Sequence, residues 1–72
     1  MEKKIMDILK KYGTVGSDHT ITTPYTEVQG WDSMKHVQFI LDVEAEFNIK
    51  MKPEQLVLAT NIERTIRAIE EC

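Results

Sequence analysis

The stretch SMKHVQFILDVEAEF, residues 33–47, decides the fold of this 72-residue chain. Its apolar residues recur at the spacing of one face of an α-helix, and the charged residues between them suit the solvated side. The predicted buried face consists of Val37, Ile40, Leu41, Val43 and Phe47. We therefore expect the longest and best-buried helix of the protein to lie here.

Three further helices are predicted around this one. Residues 2–12 place apolar side chains at helical spacing and are followed by Gly13, a typical helix stop. Pro53 suits the first position of a short third helix. Thr60 and Glu63 have the spacing of a capping box that would begin a fourth helix. The buried stripe of that fourth helix is predicted to be Ile62, Ile66 and Ile69.

Residues 13–31 break the helical pattern and are rich in Gly, Thr and Ser. A connection this long is expected inside a small domain only if it is functional or held down by its own side chains. The side chains available for this are Ile21, Tyr25, Val28 and Trp31. The predicted fold is therefore all-α, a four-helix bundle with a long loop between helices one and two and a short third helix.

Length and composition restrict the class of protein. A chain of 72 residues forms one domain, residues 1–72, and burial removes only about 60% of its unfolded surface from water, so a deep enzymatic cleft is not expected. Twelve acidic residues against nine basic ones oppose binding to a nucleic-acid backbone. No segment has the length of a membrane span, and the single cysteine, Cys72, excludes a disulfide framework. A cytoplasmic monomer is the expectation.

The candidate functional residues lie in the stretch VQGWDSM, residues 28–34. Asp32 and Ser33 are both favoured helix N-caps, and on local pattern alone capping is the commoner role of such a pair. A serine in the first turn is also exposed at the positive end of the helix dipole, where a phosphate attached to it would be stabilised. The pattern leaves both roles open.

A serine-hydrolase site is a weaker alternative for the same stretch. Asp32, Ser33 and His36 lie close together, but a catalytic serine also needs an oxyanion hole and a substrate cleft. Three groups in one exposed helical turn cannot enclose a substrate. The other histidine, His19, has no partner at ligand spacing and is expected to be a plain surface residue rather than a metal ligand.

The stretch GWDSMKHVQFILDVEAEFNIKM, residues 30–51, resembles the acyl carrier proteins and, more broadly, the phosphopantetheine-binding carrier domains. The signature of that family is Asp-Ser-Leu at the start of the second of four helices. The resemblance extends over residues 28–71 and is looser in the first helix. Besides the Asp-Ser pair, the matching positions are the five apolar residues of the second helix, Ile49, Met51 and Thr60.

The resemblance implies that Ser33 is the attachment point for 4'-phosphopantetheine, transferred from coenzyme A by a separate magnesium-dependent phosphopantetheinyl transferase. The chain would then not be an enzyme. It would hold acyl or aminoacyl groups as thioesters and present them to ligases, synthases and transferases. Asp32 would help to position the modification site, and Met34, in place of the usual leucine, would contact partners. Trp31 and Val28 would pack near the base of the arm or simply fill the core.

Differences from the family pattern affect which partner enzymes are expected to bind. Lys35 and His36 follow Met34, and Gln38 stands where an acid is common, so the first turn is not acidic. A reduced acidic patch remains farther along, at Asp42, Glu44 and Glu46. Trp31 directly before the Asp-Ser pair resembles the stand-alone carriers of specialised pathways, such as polysaccharide, lipid or secondary-metabolite synthesis, more than the primary fatty acid synthesis carrier.

Two hypotheses follow from the sequence. The first is a carrier modified at Ser33, whose predicted core, including Ile8, Phe39, Ile40, Leu58 and Ile62, is required for folding whether or not it shelters the cargo. The second is an unmodified helical interaction module, in which the Asp-Ser pair is only a cap. Its acidic second helix would bind a basic partner, steered by charge.

Overall fold

The computed structural model describes residues 1–72 and contains four α-helices. Their bounds are Glu2–Leu9 for α1, Ser33–Phe47 for α2, Pro53–Leu58 for α3 and Ile62–Glu71 for α4. One 3₁₀ turn, Tyr25–Glu27, interrupts the connection between α1 and α2, and no residue is in a strand. The predicted small all-α bundle, with its long first connection and short third helix, is confirmed. None of the helices is both long and apolar enough to cross a membrane.

The bounds of α2 are those that the apolar period predicts, and both ends have a local cause. Asp32 precedes the helix with extended backbone and caps it through its side chain. At the other end Asn48 takes the left-handed conformation (φ 54°) and donates its amide to the carbonyl of Glu44. Asparagine tolerates this conformation better than most residues, so the helix stops there.

The buried side of α2 differs from the predicted one. Phe39, Ile40 and Val43 are completely buried, whereas Val37 is 42% exposed and Leu41 is 55% exposed. Successive residues of a helix are about 100° apart, so Val37 lies roughly opposite Phe39. The predicted face was wrong at Val37 and Leu41 because the apolar residues of α2 span about two thirds of its circumference, and the period alone does not say which part the other elements cover.

The core is one cluster of 13 buried apolar residues from α1, α2, α4 and the connecting segments. They are Ile5, Ile8, Leu9, Tyr25, Val28, Phe39, Ile40, Val43, Met51, Ala59, Ile62, Ala68 and Ile69. Each large side chain in it contributes roughly 1.5–3 kcal/mol by leaving water. Helix α3 supplies no fully buried residue. Leu58, which was predicted to belong to the core, is 60% exposed, because so short a helix turns only one side toward the bundle.

The long connection is held against the helices, as predicted. Tyr25 and Val28 are buried, and the hydroxyl of Tyr25 is hydrogen-bonded to that of the buried Thr65 at 2.6 Å. The Tyr25 ring also packs edge-on against Phe39, with ring centroids 4.8 Å apart. Near the start of the connection, a Cβ on Gly13 would lie 2.6 Å from a methyl carbon of Val28. A side chain at Gly13 would therefore require the buried Val28 to shift.

Helix α1 is shorter than the predicted residues 2–12. It ends at Leu9, and after Lys10 the amides bond three residues back, Lys11 to Ile8 and Tyr12 to Leu9. This tightening is common in the last turn of a helix. Tyr12 remains partly buried and packs edge-on against Phe39 at 6.1 Å between centroids, so its predicted packing holds although it lies outside the helix.

Helix α4 begins one residue later than the predicted capping box requires. The cap is Asn61, whose side-chain oxygen accepts a hydrogen bond from the amide of Arg64 at 2.7 Å. Glu63 instead donates its amide to the carbonyl of Ile21 at 2.9 Å. The Thr60–Glu63 capping box was therefore wrong. Of the predicted apolar stripe, Ile62 and Ile69 are buried and Ile66 is partly buried.

Candidate functional site

The start of α2 separates the roles of its two polar residues. An oxygen of the Asp32 carboxylate accepts a hydrogen bond from the amide of Lys35 at 2.8 Å, which is the N-cap interaction. Ser33 is the first residue of the helix and is exposed. The sequence left open which of the two residues caps α2. Because Asp32 does so, the Ser33 hydroxyl is not needed for the cap.

Two backbone amides at this end have no partner in the helix. The amide of Lys35 is taken by the Asp32 side chain, and that of His36 by the Asp32 carbonyl at 3.0 Å. The amides of Ser33 and Met34 precede the first intrahelical bond and stay free. Free amides at the positive end of a helix dipole bind anions such as phosphate.

A cation lies at the same end of the helix. Gly30 has a left-handed backbone (φ 79°), and a Cβ placed on it would be 3.2 Å from Nζ of Lys35. The half-buried Lys35 side chain therefore folds back over the loop that leads into α2. Its ammonium group and the helix dipole both favour negative charge near Ser33.

An open groove of about 430 Å³ lies beside Ser33, between α2 and α3. Its lining consists of Thr26, Trp31, Asp32, Ser33, His36, Val37, Leu56, Val57 and Thr60. Trp31 joins this groove to the core, since its ring lies 5.5 Å from that of Tyr25 and 5.6 Å from that of Phe39. Trp31 therefore packs near Ser33, as predicted, while Val28 is buried as core.

His36 fixes the distance between the two walls of this groove. Its Nε2 lies 2.9 Å from the carbonyl oxygen of Leu56 in α3. A carbonyl only accepts, so Nε2 carries the hydrogen and donates it. This nitrogen is not available as a base for Ser33, and the Asp32 carboxylate contacts Lys35 rather than the histidine. The arrangement needed for a serine hydrolase is absent from this turn.

The predicted partner residues of the first turn are accessible. Met34 is 69% exposed and Gln38 is exposed, whereas Lys35 is half-buried over Gly30. Met34 directly follows Ser33 along the helix. An exposed apolar side chain next to Ser33 in the chain is therefore available to a molecule that approaches this end of α2 from solvent.

The acid Asp42 has an intramolecular partner. Its carboxylate accepts a hydrogen bond from the hydroxyl of Tyr12, which links α2 to the chain after α1. This bond, burial and the negative charge of Asp42 raise the pKa of Tyr12 to about 12. Asp42 is nevertheless exposed on its outer side.

The other two predicted acids also have intramolecular partners. Glu44 is half-buried, and its carboxylate accepts a hydrogen bond from the amide of Met51 at 2.5 Å, which holds the segment between α2 and α3. Glu46 lies 4.0 Å from the ammonium of Lys4 in α1, with both side chains exposed. An exposed pair of this kind contributes little to stability.

His19 differs from its prediction as a plain surface residue. Its side chain is half-buried in the long connection, and its Nε2 is buried without a hydrogen-bond partner. The amide of His19 bonds to the carbonyl of Gly16 in a tight turn. Sequence spacing did not indicate this turn, because the polar residues around it are equally typical of an open loop.

The groove wall formed by α3 is the part of the site that sequence reasoning missed. Leu56 and Val57 line it, and Val57 is 67% exposed. The sequence does contain an indication of this exposed apolar wall. Residues 56–58 are three consecutive apolar residues in a helix of six, which is too short to bury all three.

No protein-family model matches the chain. The candidate site is thus defined by its own geometry, an exposed serine at the positive end of α2 beside an open, largely apolar groove.

Proposed function

We propose that the chain is an acyl carrier protein, in which Ser33 bears 4'-phosphopantetheine and the arm presents acyl or aminoacyl thioesters to partner enzymes. One observation carries the proposal: the Ser33 hydroxyl is exposed and uncommitted at the first position of α2, because Asp32 supplies the cap. The resemblance of residues 28–71 to the carrier family supports the same assignment. The carrier itself would not be an enzyme.

The residues around Ser33 suit a phosphoester. Attachment would join Ser33 Oγ to the phosphorus of coenzyme A that bears the pantetheine, with adenosine bisphosphate as leaving group and the hydroxyl proton passing to a base of the transferase. The free amides of Ser33 and Met34 would face the new phosphate, and the Lys35 ammonium would offset its charge. Asp32 would hold the helix start in place during the reaction.

When bound, the group supplies a terminal thiol on which a ligase or synthase can place the cargo as a thioester. The chain would contribute position rather than catalysis, since α2 is anchored by Phe39, Ile40 and Val43 and keeps Ser33 at the surface. Lys35, Gln38 and Trp31 favour a stand-alone carrier of a specialised pathway over the carrier of primary fatty acid synthesis. In this proposal it acts as a cytoplasmic monomer.

The test is intact-mass measurement after incubation of the purified chain with coenzyme A, magnesium and a broad-specificity phosphopantetheinyl transferase. The wild type is expected to gain the mass of one phosphopantetheine group. Ser33→Ala should gain none. Ser17→Ala is the matched control, since Ser17 is the only other serine of the chain, and it should be modified like the wild type.

An interaction module that uses the Asp-Ser pair only as a cap would give a different result. No mass gain on the wild type, or an equal gain on Ser33→Ala, would overturn the carrier proposal. In that case the exposed acids Asp42 and Glu46 would become the first candidates for binding a basic partner.

A further inference from the structure

Exposed apolar side chains are concentrated on the two helices that flank the groove. The chain has six exposed large apolar residues, and five of them, Met34, Val37, Leu41, Val57 and Leu58, belong to α2 and α3. We define the outer stripe as Met34, Val37 and Leu41 of α2 together with Val57 of α3. Val37 and Val57 are both groove-lining residues.

The outer stripe begins at Ser33. With about 100° between successive helical positions, Met34, Val37 and Leu41 fall within a sector of roughly 60°, and Ser33 lies about 40° from Val37. The stripe and the serine hydroxyl therefore share one side of α2. Each of these three apolar residues lies roughly 140–160° from the buried Phe39, whereas Ser33 lies at the edge of the stripe, about 20° from the buried Ile40.

Two of the three acids of α2 lie elsewhere on the helix. By the same geometry, Asp42 and Glu46 are about 100° or more from Leu41. They are turned toward the α1 side, where Asp42 accepts from Tyr12 and Glu46 faces Lys4. Glu44 is nearer the stripe, but its carboxylate is bonded to the amide of Met51. No free carboxylate of α2 borders the stripe.

An enzyme that reaches the Ser33 hydroxyl must cover this stripe. A standard protein–protein interface buries about 800 Å² on each partner, and the accessible surface of the whole chain is 4753 Å². A footprint of that size centred on Ser33 extends over its nearest exposed neighbours. Those neighbours include the apolar Met34 and Val37 of α2 and Val57 of α3, together with the exposed polar residues of the groove, Thr26, Asp32 and Thr60.

We infer that the enzyme acting on Ser33 docks through apolar contact with the outer stripe and not through ion pairs with Asp42, Glu44 or Glu46. The inference rests on the proposed function and specifies the kind of partner, an enzyme with an apolar surface around its active-site entrance. Burial of apolar side chains is insensitive to ionic screening, whereas an acid-based interface weakens as salt rises.

The test measures the initial rate of modification by the same transferase at saturating coenzyme A. Leu41→Asp is expected to slow the reaction about tenfold or more, in the range of an interface hot spot. Leu58→Asp is the matched control, because Leu58 is a similarly exposed leucine that lies outside the outer stripe and lines a separate pocket with Arg64 and Arg67 of α4. It should change the rate less than about twofold, as should Glu46→Gln.

Salt dependence supplies a second readout that needs no substitution. Between about 50 and 500 mM salt, the wild-type rate should change less than about threefold. A rate that falls steeply with salt, or a Glu46→Gln variant slowed more than Leu41→Asp, would overturn the inference while leaving the carrier function intact. A wild type that is not modified under any condition would overturn the carrier proposal itself. Circular dichroism of each variant verifies that it is folded.

Discussion

The carboxylate oxygen of Asp32 lies 2.8 Å from the amide of Lys35, so α2 begins without help from the hydroxyl of Ser33. Neighbouring residues of similar capping propensity thus have different tasks at this helix end. Asp32 stabilises the helix start, and Ser33 is left exposed and free to react. Because the two residues have different roles, a substitution at either one tests its role alone.

Substitutions at Asp32 and Ser33 test whether Asp32 alone caps α2. Asp32→Ala should lower the free energy of unfolding by about 1 kcal/mol, since it removes the N-cap, and Ser33→Ala should cost less than about 0.5 kcal/mol. Asp32→Asn is the control that keeps a capping oxygen and should stay near the wild type. Urea denaturation measures the free energy of unfolding of the three variants. Equal losses for Asp32→Ala and Ser33→Ala would contradict the assignment of the cap.

Tyr12 provides a pH-dependent test of the contact between α2 and the chain after α1. Its pKa is raised from 10.0 to about 12, chiefly by the hydrogen bond to Asp42. Because the folded-state pKa is above the unfolded one, the bond contributes its full stability below about pH 10 and loses it as the pH rises through 12.

Asp42→Asn should therefore lower the pKa of Tyr12 toward 10, the ordinary value, because the variant removes the negative charge. NMR titration of the Tyr12 ring protons distinguishes this residue from Tyr25, whose pKa is raised by burial. An unchanged Tyr12 titration in the variant would show that Asp42 does not hold the hydroxyl.

At the scale of elements, the sequence was most informative about α2. The apolar period located the helix at residues 33–47, as observed. It did not identify the buried side, because Phe39 and Val37 are equally apolar and lie on opposite sides of the helix. Which side is covered depends on the positions of Tyr25 and Trp31 in the long connection, and these are non-local contacts.

The start of α4 shows how a tertiary contact selects between two adjacent caps. Thr60 and Asn61 are both good capping residues. The carbonyl of Thr60 accepts from the amide of Tyr25 at 2.9 Å, and the amide of Glu63 is held by Ile21. With Thr60 and Glu63 tied to the long connection in this way, Asn61 is left as the cap. Such a choice is not readable from spacing alone.

We predict that Asn61→Ala destabilises the protein by about 1 kcal/mol, whereas Thr60→Ala has an effect within about 0.5 kcal/mol. The reason is that only Asn61 bonds the amide of Arg64 through its side chain. Thermal unfolding of the two variants, adjacent in sequence and alike in size change, gives a direct comparison. A larger loss of stability for Thr60→Ala than for Asn61→Ala would indicate that Thr60 caps α4, as the predicted capping box requires.

On the scale of the whole molecule, the sequence indicated a small helical bundle whose long connection is held by its own apolar residues. Both features are observed. The groove beside Ser33 was not predicted, because it depends on the hydrogen bond from His36 to the carbonyl of Leu56, which are 20 residues apart in the chain. The serine could be singled out from sequence, but its surroundings could not.

The carrier proposal requires that Ser33, and no other residue, carries phosphopantetheine. Its most direct test is peptide-level mass spectrometry of the chain after treatment with coenzyme A, magnesium and the transferase. We predict that the peptide containing Ser33 carries the group and that the peptide containing Ser17 does not. A group located on any other residue, or a Ser33 peptide that remains unmodified, would contradict this assignment.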